Sequence, residues 1–331
     1  MRIPGLKTLR KSARWLKSRF IPGALILGYH RVSEERLDPY SICVTPPHFA
    51  EQLEVLSRYA RVIPLRALVQ GLQENKIPPR SVVLTFDDGY ADRLYQVRPL
   101  LEKYQVPATV FVVAGSLGCQ FWWDELAGLL LSQPVNPGML RLSIRGTSLE
   151  WILNRSSMPQ KGRRDSISPQ GLLNELYELI LPLPLEEQQR ILAEIKTWSG
   201  VAPKDTLTHT ALRTEEIQNL LQDGLIELGS HSVTHPMLEK LPIEQQRFEI
   251  EQSKVILEAI SGRPVVSFSY PNGSFLESTE VLVRQAGYTC ACTSQNDLVW
   301  RGSNPYRLPR FWIPDWDGLS FSKFLNLWIN H

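Results

Sequence analysis

The chain has 331 residues, of which 43% are hydrophobic and 21% charged, and its formal net charge is +2. These values are typical of a globular chain that buries a sizeable core as one large domain or two ordinary ones. The balanced charge gives no support for a nucleic-acid partner, and we predict none.

Residues 1–22 form a basic segment in which lysines and arginines interleave with leucine, tryptophan and phenylalanine. This pattern suits a helix lying against anionic lipid, and equally a solvated basic helix on the domain surface. It lacks the uninterrupted apolar stretch of a signal peptide or membrane-spanning helix. We therefore expect a cytoplasmic protein, with peripheral contact at the inner membrane surface as an open alternative.

The domain at 23–331 contains recurring short apolar runs that we predict to be strands. These runs are 24–29, 81–86, 108–113, 225–229, 265–270, 288–293 and 307–313. Most are too continuous for half-exposed strands, which indicates a sheet buried on both faces. Helical patterns lie between them at 47–59, 92–104, 243–260 and 278–287. Repeated strand-helix units predict an α/β fold with a parallel barrel.

The repeat is interrupted at about 119–210 by a predicted helical insertion, packed as a lobe beside the barrel. Within it, residues 141–151 have the character of a loop. Trp123 in "QFWWDEL" could form a wall on which a sugar stacks, or could seat the insertion on the barrel. The four cysteines include no CxxC pair, and we predict reduced core thiols.

Two adjacent acids, Asp87 and Asp88, follow the strand predicted at 81–86, in "VVLTFDDGYAD". Active sites of βα barrels form at the carboxyl ends of the strands, so this is a candidate catalytic position. The alternative is an ordinary Asp-Gly turn.

Two of the six histidines, His231 and His235, follow another predicted strand, within reach of one cation. Two imidazoles and one carboxylate make a three-ligand set for zinc or a related ion, with coordination positions left open. The second aspartate could then take a proton from water whose pKa the cation has lowered. The spacing does not say which aspartate does which.

"TFDDGY" and "HSVTHP" resemble the first two motifs of the polysaccharide deacetylase family. The family comprises metal-dependent carbohydrate esterases that remove acetyl groups on a deformed (β/α)7 barrel, and the resemblance covers residues 24 to about 315. It implies that Asp87 is the general base and that Asp88, His231 and His235 bind the metal, with zinc expected.

The family's third motif carries an arginine where this chain has Ser269, in "FSYPNG" at 268–273. Arg310 in "RLPRF", at another predicted strand end, could supply the missing charge. The resemblance implies that Tyr270 and Asn272 contact the substrate or its oxyanion. A backbone N–H near Asn272 would hold the oxyanion. The alternative is a Pro-Asn-Gly turn without function.

His30 ends "LILGYH", which resembles the first strand of circularly permuted deacetylases, in which the acid histidine comes first. The resemblance implies that His30 protonates the leaving group, because an amide nitrogen leaves only once protonated. The alternative is a satisfied histidine at a strand end.

We therefore expect a metal-dependent hydrolase that removes an acetyl group, N-acetyl in the first instance, from a sugar of a polysaccharide, glycolipid or lipid-linked precursor. The rivals are a non-catalytic carbohydrate-binding relative on the same barrel and an amidase or esterase of another small substrate. The sequence leaves open the sugar, the metal and the oligomeric state.

Overall fold

The computed structural model describes residues 23–34, 38–131, 138–153, 166–200 and 210–329. The basic segment 1–22 lies outside these residues. The described chain forms two compact units, the first made of residues 23–34, 41–115 and 212–329 and the second of residues 38–40 and the described parts of 116–211. Within the described ranges, every helix is too short or too polar to cross a bilayer.

The first unit is built on seven parallel strands, which correspond to the predicted runs. They are β1 (Ala24–Tyr29), β2 (Ser81–Phe86), β3 (Ala108–Val112), β4 (Ile226–Ser230), β5 (Ser267–Ser269), β6 (Cys290–Cys292) and β7 (Phe311–Trp312). Their order in the sheet is β6-β5-β4-β3-β2-β1-β7. Leu308, shortly before β7, forms a parallel bridge with Cys292 of β6, so the sheet curls back on itself. The deformed (β/α)7 barrel predicted from the sequence is confirmed.

Helices connect these strands, as the periodicity predicts. They are α1 (Pro46–Tyr59), α2 (Leu65–Gln73), α3 (Arg98–Tyr104), α4 (Thr214–Leu220), α5 (Ile243–Ser261), α6 (Glu277–Gln285) and α7 (Gly318–Ile329). Shorter elements are the strands Arg31–Val32, Cys43–Val44 and Arg61–Val62, the π-helical turn Arg93–Val97, and the 3₁₀ turns Leu238–Lys240, Pro271–Gly273 and Pro305–Arg307. In α1, the residues Phe49, Leu53 and Leu56 are buried at helical spacing, which directs one face of the helix to the core.

The barrel strands owe their continuous apolar runs to burial on both faces. Every residue of β1, β2 and β3 is buried, as expected for a parallel sheet covered by helices. Cys290 and Cys292 belong to a buried apolar cluster with Phe111 and Leu308, and both are free thiols. The expectation of core thiols is wrong for Cys119, which is exposed.

The second unit contains a hairpin as well as helices. Its helices are Trp122–Leu131, Pro169–Ile180 and Leu185–Ser199, and its strands are Met139–Ile144, Thr147–Leu153 and Ser166–Ile167. The loop expected at 141–151 is therefore wrong. Leu140, Leu142 and Ile144 are buried in alternation with exposed residues, and Arg145 and Gly146 turn the chain with φ of 51° and 77°. This is the two-residue turn of an antiparallel hairpin.

We expect Gly229→Ala in β4 to destabilise the barrel by about 1–3 kcal/mol, the usual cost of overpacking a core. A Cβ at this position would lie 2.4 Å from Cδ1 of Phe111 and 2.8 Å from Oγ of Ser267. Urea unfolding measures the change in the free energy of unfolding. The control is Gly138→Ala, where the nearest atom lies at 3.7 Å, and equal stability of the two variants would contradict this packing.

Candidate functional site

The acid turn, Asp87 and Asp88, is anchored to the strands on either side of β2. Asp87 donates its N–H to the carbonyl of Tyr29 at 2.9 Å, and the carbonyl of Asp88 accepts the N–H of Val113 at 3.2 Å. Asp88 adopts a φ of +69°, which ends the extended strand. The two residues are only 2% and 4% exposed. The turn thus holds two buried carboxylates at the carboxyl end of the barrel.

The two histidines lie on a tight loop that leaves the end of β4. His231 donates its N–H to the carbonyl of Val112 at 2.9 Å, which continues the strand pairing. The chain then turns through left-handed conformations at Ser232 and His235, with φ of 64° and 61°. The N–H of His235 bonds to Oγ of Ser232 at 3.0 Å. This turn brings the two imidazole rings to a centroid distance of 4.8 Å.

Asp88, His231 and His235 offer three donor atoms that all lie within 4.8 Å of one another. The Nε2 atom of each histidine is 3.6 Å from Oδ1 of Asp88. Nδ1 of His231 faces the carbonyl of Ser269 at 2.8 Å, and if it donates there, Nε2 keeps its lone pair for a cation. Burial lowers the pKa of both imidazoles, which favours the neutral form that ligation requires. The donor set fits a divalent metal ion.

Asp87 is held by a guanidinium from the other end of the chain. Arg310 donates from Nη1 to Oδ1 of Asp87 at 2.6 Å and from Nη2 to Oδ2 at 2.8 Å. Ser269 donates its hydroxyl to Oδ2 at 3.1 Å and accepts from Nη2 of Arg310 at 2.9 Å. Nε of Arg310 donates to the carbonyl of Thr293 at 3.0 Å, and this bond fixes the orientation of the guanidinium. Arg310 thus contacts the base candidate and places its charge beside Asp87.

The charge of Asp87 is stabilised despite its burial. Burial alone would raise the pKa of this carboxyl, but the charge of Arg310, reinforced by His231 and the Arg310 hydrogen bonds, holds the pKa well below its usual range. Oδ2 of Asp87 lies 3.6 Å from Nε2 of His231. The site therefore sets an ionised carboxylate directly beside the donor atoms of Asp88, His231 and His235.

His30 lies at the end of β1, partly exposed, with its ring stacked on Trp312 at a centroid distance of 4.2 Å. Burial lowers the pKa of His30 to about 4, and Arg310 and His231 act in the same direction against the charge of Asp87. Its imidazole is therefore a neutral side chain within the electrostatic field of the acid turn.

In the turn that follows β5, the side chain of Tyr270 is buried. The hydroxyl of Tyr270 donates to the carbonyl of Tyr306 at 3.1 Å, and its ring stacks on Phe275 at 4.3 Å. Asn272 is exposed, with a left-handed φ of 56°. Tyr270 is thus part of the packing beneath the turn that carries Asn272.

Trp123 belongs to the second unit, where its ring stacks on Phe121 at 4.6 Å. Only 6% of Trp123 is exposed. These contacts are typical of packing, and its sugar-stacking role stays a prediction.

Glu249 supports the loop that carries His231 and His235, although no motif in the sequence includes it. From α5, its Oε2 accepts the N–H groups of Val233 and Thr234 at 2.8 and 2.9 Å, and its Oε1 accepts the hydroxyl of Thr234 at 2.6 Å. In the sequence, Glu249 is one of several acids in a charged helix. Its burial, with 6% of the residue exposed, is what distinguishes it.

A second group that the sequence did not indicate lies behind the acid turn. Asp92 accepts the N–H of Val32 at 3.1 Å and a hydrogen bond from Nη1 of Arg93 at 2.6 Å, and Nε of Arg31 is 3.8 Å from its Oδ2. Arg31, Asp92 and Arg93 are at most 2% exposed. They tie the segment after His30 to the segment after the acid turn.

Comparisons with known proteins find similarity to polysaccharide deacetylases. A family model described as polysaccharide deacetylase matches residues 74–131 and 194–291. The chain is 21% identical over 317 residues to the Bacillus subtilis protein named "Putative polysaccharide deacetylase YxkH", covering 95% of this chain and 80% of that protein. It is 31% identical over 110 residues to the poly-beta-1,6-N-acetyl-D-glucosamine N-deacetylase of Staphylococcus aureus, covering 29% of this chain and 37% of that protein.

Solved structures share the fold. The Streptococcus pyogenes deacetylase PplD, in complex with acetate, has a TM-score of 0.58 and 17% identity, covering 92% of this chain and 99% of its own. IcaB from Ammonifex degensii has a TM-score of 0.59 and 17% identity, covering 92% and 97%. These proteins therefore share the deformed barrel fold of this chain. The chain is similar to the polysaccharide deacetylase family, whose model matches the segments that carry both the acid turn and the two histidines.

We expect Glu249→Gln to weaken the affinity for Zn²⁺ by about 10- to 100-fold, the usual effect of losing a partner that orients a metal ligand. The amide cannot accept all three hydrogen bonds that now shape the loop bearing His235. Competition with a chromogenic chelator measures the dissociation constant.

The matched control is Glu251→Gln on the same helix, whose carboxylate pairs with the half-exposed Arg247. An unchanged Zn²⁺ affinity in Glu249→Gln, or an equal loss in the control, would contradict the role given to Glu249.

Proposed function

We propose that this protein removes the acetyl group from an N-acetylated sugar of a polysaccharide, glycolipid or lipid-linked precursor by metal-dependent hydrolysis. The observation that carries the proposal is the pairing of two arrangements. Asp87 is fixed and ionised by Arg310, and it lies next to the donor atoms of Asp88, His231 and His235.

Asp88, His231 and His235 would hold the metal ion, and we propose zinc, which favours nitrogen and carboxylate ligands in three-residue catalytic sites. A divalent cation there supplies Lewis-acid chemistry, polarising an acyl oxygen and acidifying water. Asp88 stays ionised as a ligand, while the histidines remain neutral because they are buried.

Asp87 is the general base. Arg310 and Ser269 fix both of its carboxylate oxygens, so the group is already oriented when a water approaches the ligand cluster. Asp87 takes the proton of that water as it attacks the acetyl carbonyl. Asp87 can be oriented without the arginine that the family carries at position 269. Arg310, directly before β7, contacts the same carboxylate instead.

His30 is the general acid, and a backbone N–H near Asn272 stabilises the oxyanion. Burial favours loss of a proton from the His30 imidazolium, whereas the charge of Asp87 favours its protonation. Because its imidazole is neutral here, His30 would first gain a proton, which the charge of Asp87 favours, and would then donate it to the leaving amine. Tyr270 supports the turn that carries Asn272 through its hydrogen bond to Tyr306.

The names of two similar proteins support the class of substrate. One acts on poly-beta-1,6-N-acetyl-D-glucosamine, and the other was solved with acetate, the product of deacetylation. An N-acetylated hexosamine polymer or its precursor is therefore the first substrate to test. Ser269, in place of the family's arginine, leaves room for a non-catalytic carbohydrate-binding relative. The contact between Arg310 and Asp87 favours the enzyme.

We expect Asp87→Asn to lower acetate release from N-acetylglucosamine oligomers by about 10²- to 10⁴-fold, the range for loss of a general base, while metal stays bound. We expect His231→Ala to lose the metal itself. Acetate assays combined with elemental analysis of the purified protein measure both effects.

The control is Asp223→Asn, an exposed aspartate paired with Arg98, and circular dichroism checks that each variant is folded. Full activity in Asp87→Asn would refute its role as base. Metal binding without turnover of any acetylated sugar would favour the carbohydrate-binding alternative, and turnover restricted to other amides or esters would favour the amidase or esterase.

We also propose peripheral membrane contact through residues 1–22, on the basis of their interleaved basic and apolar residues. Binding to vesicles containing anionic lipid should occur at low salt, weaken as salt is added, and disappear when the segment is deleted. Co-sedimentation with anionic and with neutral vesicles measures this, and equal binding by the full and truncated chains would disprove it.

A further inference from the structure

The indole of Trp312 contacts two residues of the proposed site, His30 after β1 and Arg310 before β7. Its ring stacks on the imidazole of His30 at 4.2 Å with an interplanar angle of 20°. The guanidinium carbon of Arg310 lies over the same ring, 4.6 Å from its centroid. Arg310 in turn holds Asp87. One aromatic ring therefore touches both the proposed acid and the residue that fixes the proposed base.

The strand register explains how the ring reaches both groups. Trp312 of β7 is paired with Gly28 of β1, in parallel. Arg310 comes two residues before Trp312, and His30 comes two residues after Gly28. Since side chains two residues apart on a strand share a face, all these groups face the same way. The ring lies at the level between Arg310 and His30 along the strands.

Gly28 makes room for this ring. A Cβ atom at position 28 would lie 2.7 Å from Cε3 and 2.8 Å from Cζ3 of Trp312. Real Cβ atoms do not tolerate such distances, so any side chain at 28 would displace the indole. These two atoms belong to the six-membered half of the indole, a second ring that phenylalanine lacks.

The contacts are also chemically suited to holding both partners. A guanidinium is attracted to the face of an indole by the ring quadrupole, and the attraction grows where water is excluded. Arg310 is completely buried. Stacking on the same indole restricts the rotation of the imidazole of His30. A shift of this ring would therefore disturb both groups together.

We propose that Trp312 is a positioning residue that fixes His30 relative to the Arg310–Asp87 pair, and that Gly28 is the neighbour that permits it. The inference rests on the proposed function, because it assigns Trp312 to the alignment of that function's acid and base. Trp312 itself need not touch the reacting atoms.

The test is a double-mutant cycle of Gly28→Ala and Trp312→Phe, assayed for acetate release with metal content and thermal unfolding followed in parallel. Gly28→Ala should lower kcat by about 10- to 100-fold, as a displacement of about 1 Å does in an aligned site, with KM and metal content near those of the parent. In the Trp312→Phe background, Gly28→Ala should have little further effect, because the atoms it would meet are gone. Trp316→Phe is the matched control and should keep the parent kcat.

A second measurement does not depend on activity. The ring protons of His30, assigned by comparison with His30→Gln, should show an upfield ring-current shift in the nuclear magnetic resonance spectrum. Gly28→Ala should reduce that shift, and Trp316→Phe should leave it unchanged. Absence of acetate release by the parent protein would refute the proposed function, while this shift would still test the placement of His30.

Unchanged kcat and unchanged His30 shift in Gly28→Ala would overturn the inference. Additive losses in the double variant would also overturn it, because they would show that Gly28 does not act through the indole of Trp312.

Discussion

The site depends on a buried ion pair between residues 223 positions apart in the chain. A carboxylate taken out of water is costly unless it is paired and hydrogen-bonded. Arg310 meets both needs of Asp87, since it contacts both oxygens. Removing one partner of such a pair typically costs about 3–5 kcal/mol, because the other charge stays buried. The curled sheet brings β7 beside β1, and only that closure brings Arg310 to the acid turn.

The same constraint accounts for the other buried charges. Around the acid turn, three aspartates and three arginines are buried together. They are Asp87, Asp88, Asp92, Arg31, Arg93 and Arg310. The positive charges offset the carboxylates before any cation binds, which lowers the cost of burying the acid turn. A bound divalent cation would then leave the cluster with excess positive charge, as suits a reaction that develops an oxyanion.

Much of this arrangement could be predicted from the sequence, for clear physical reasons. Strands buried on both faces need continuous apolar runs, and residues directly after such strands converge at one end of a barrel. That logic led to Asp87, Asp88, His231 and His235. Arg310 was found as a candidate because it also lies near a strand end.

The contacts that support these residues were harder to predict. Glu249 lies on a helix among other charged residues, and only the fold shows that it turns inward. Trp312 was part of an apolar strand, and its partner Gly28 had no distinguishing pattern. The hairpin in the second unit was missed although Leu140, Leu142 and Ile144 alternate with polar residues. The contacts of Glu249 and Trp312, by contrast, depend on which side chains meet across different elements, and local sequence does not carry that information.

Ser269 links two parts of the site. Its hydroxyl holds Asp87 and Arg310, and its carbonyl faces Nδ1 of His231. The proposed base and one of the proposed metal ligands therefore depend on the same residue of a three-residue strand. A shift of β5 by one residue would reverse its faces and separate both partners at once. If β5 opens locally, we expect the orientation of Asp87 and the affinity for the metal to be lost together. Both properties therefore depend on the pairing of this one short strand.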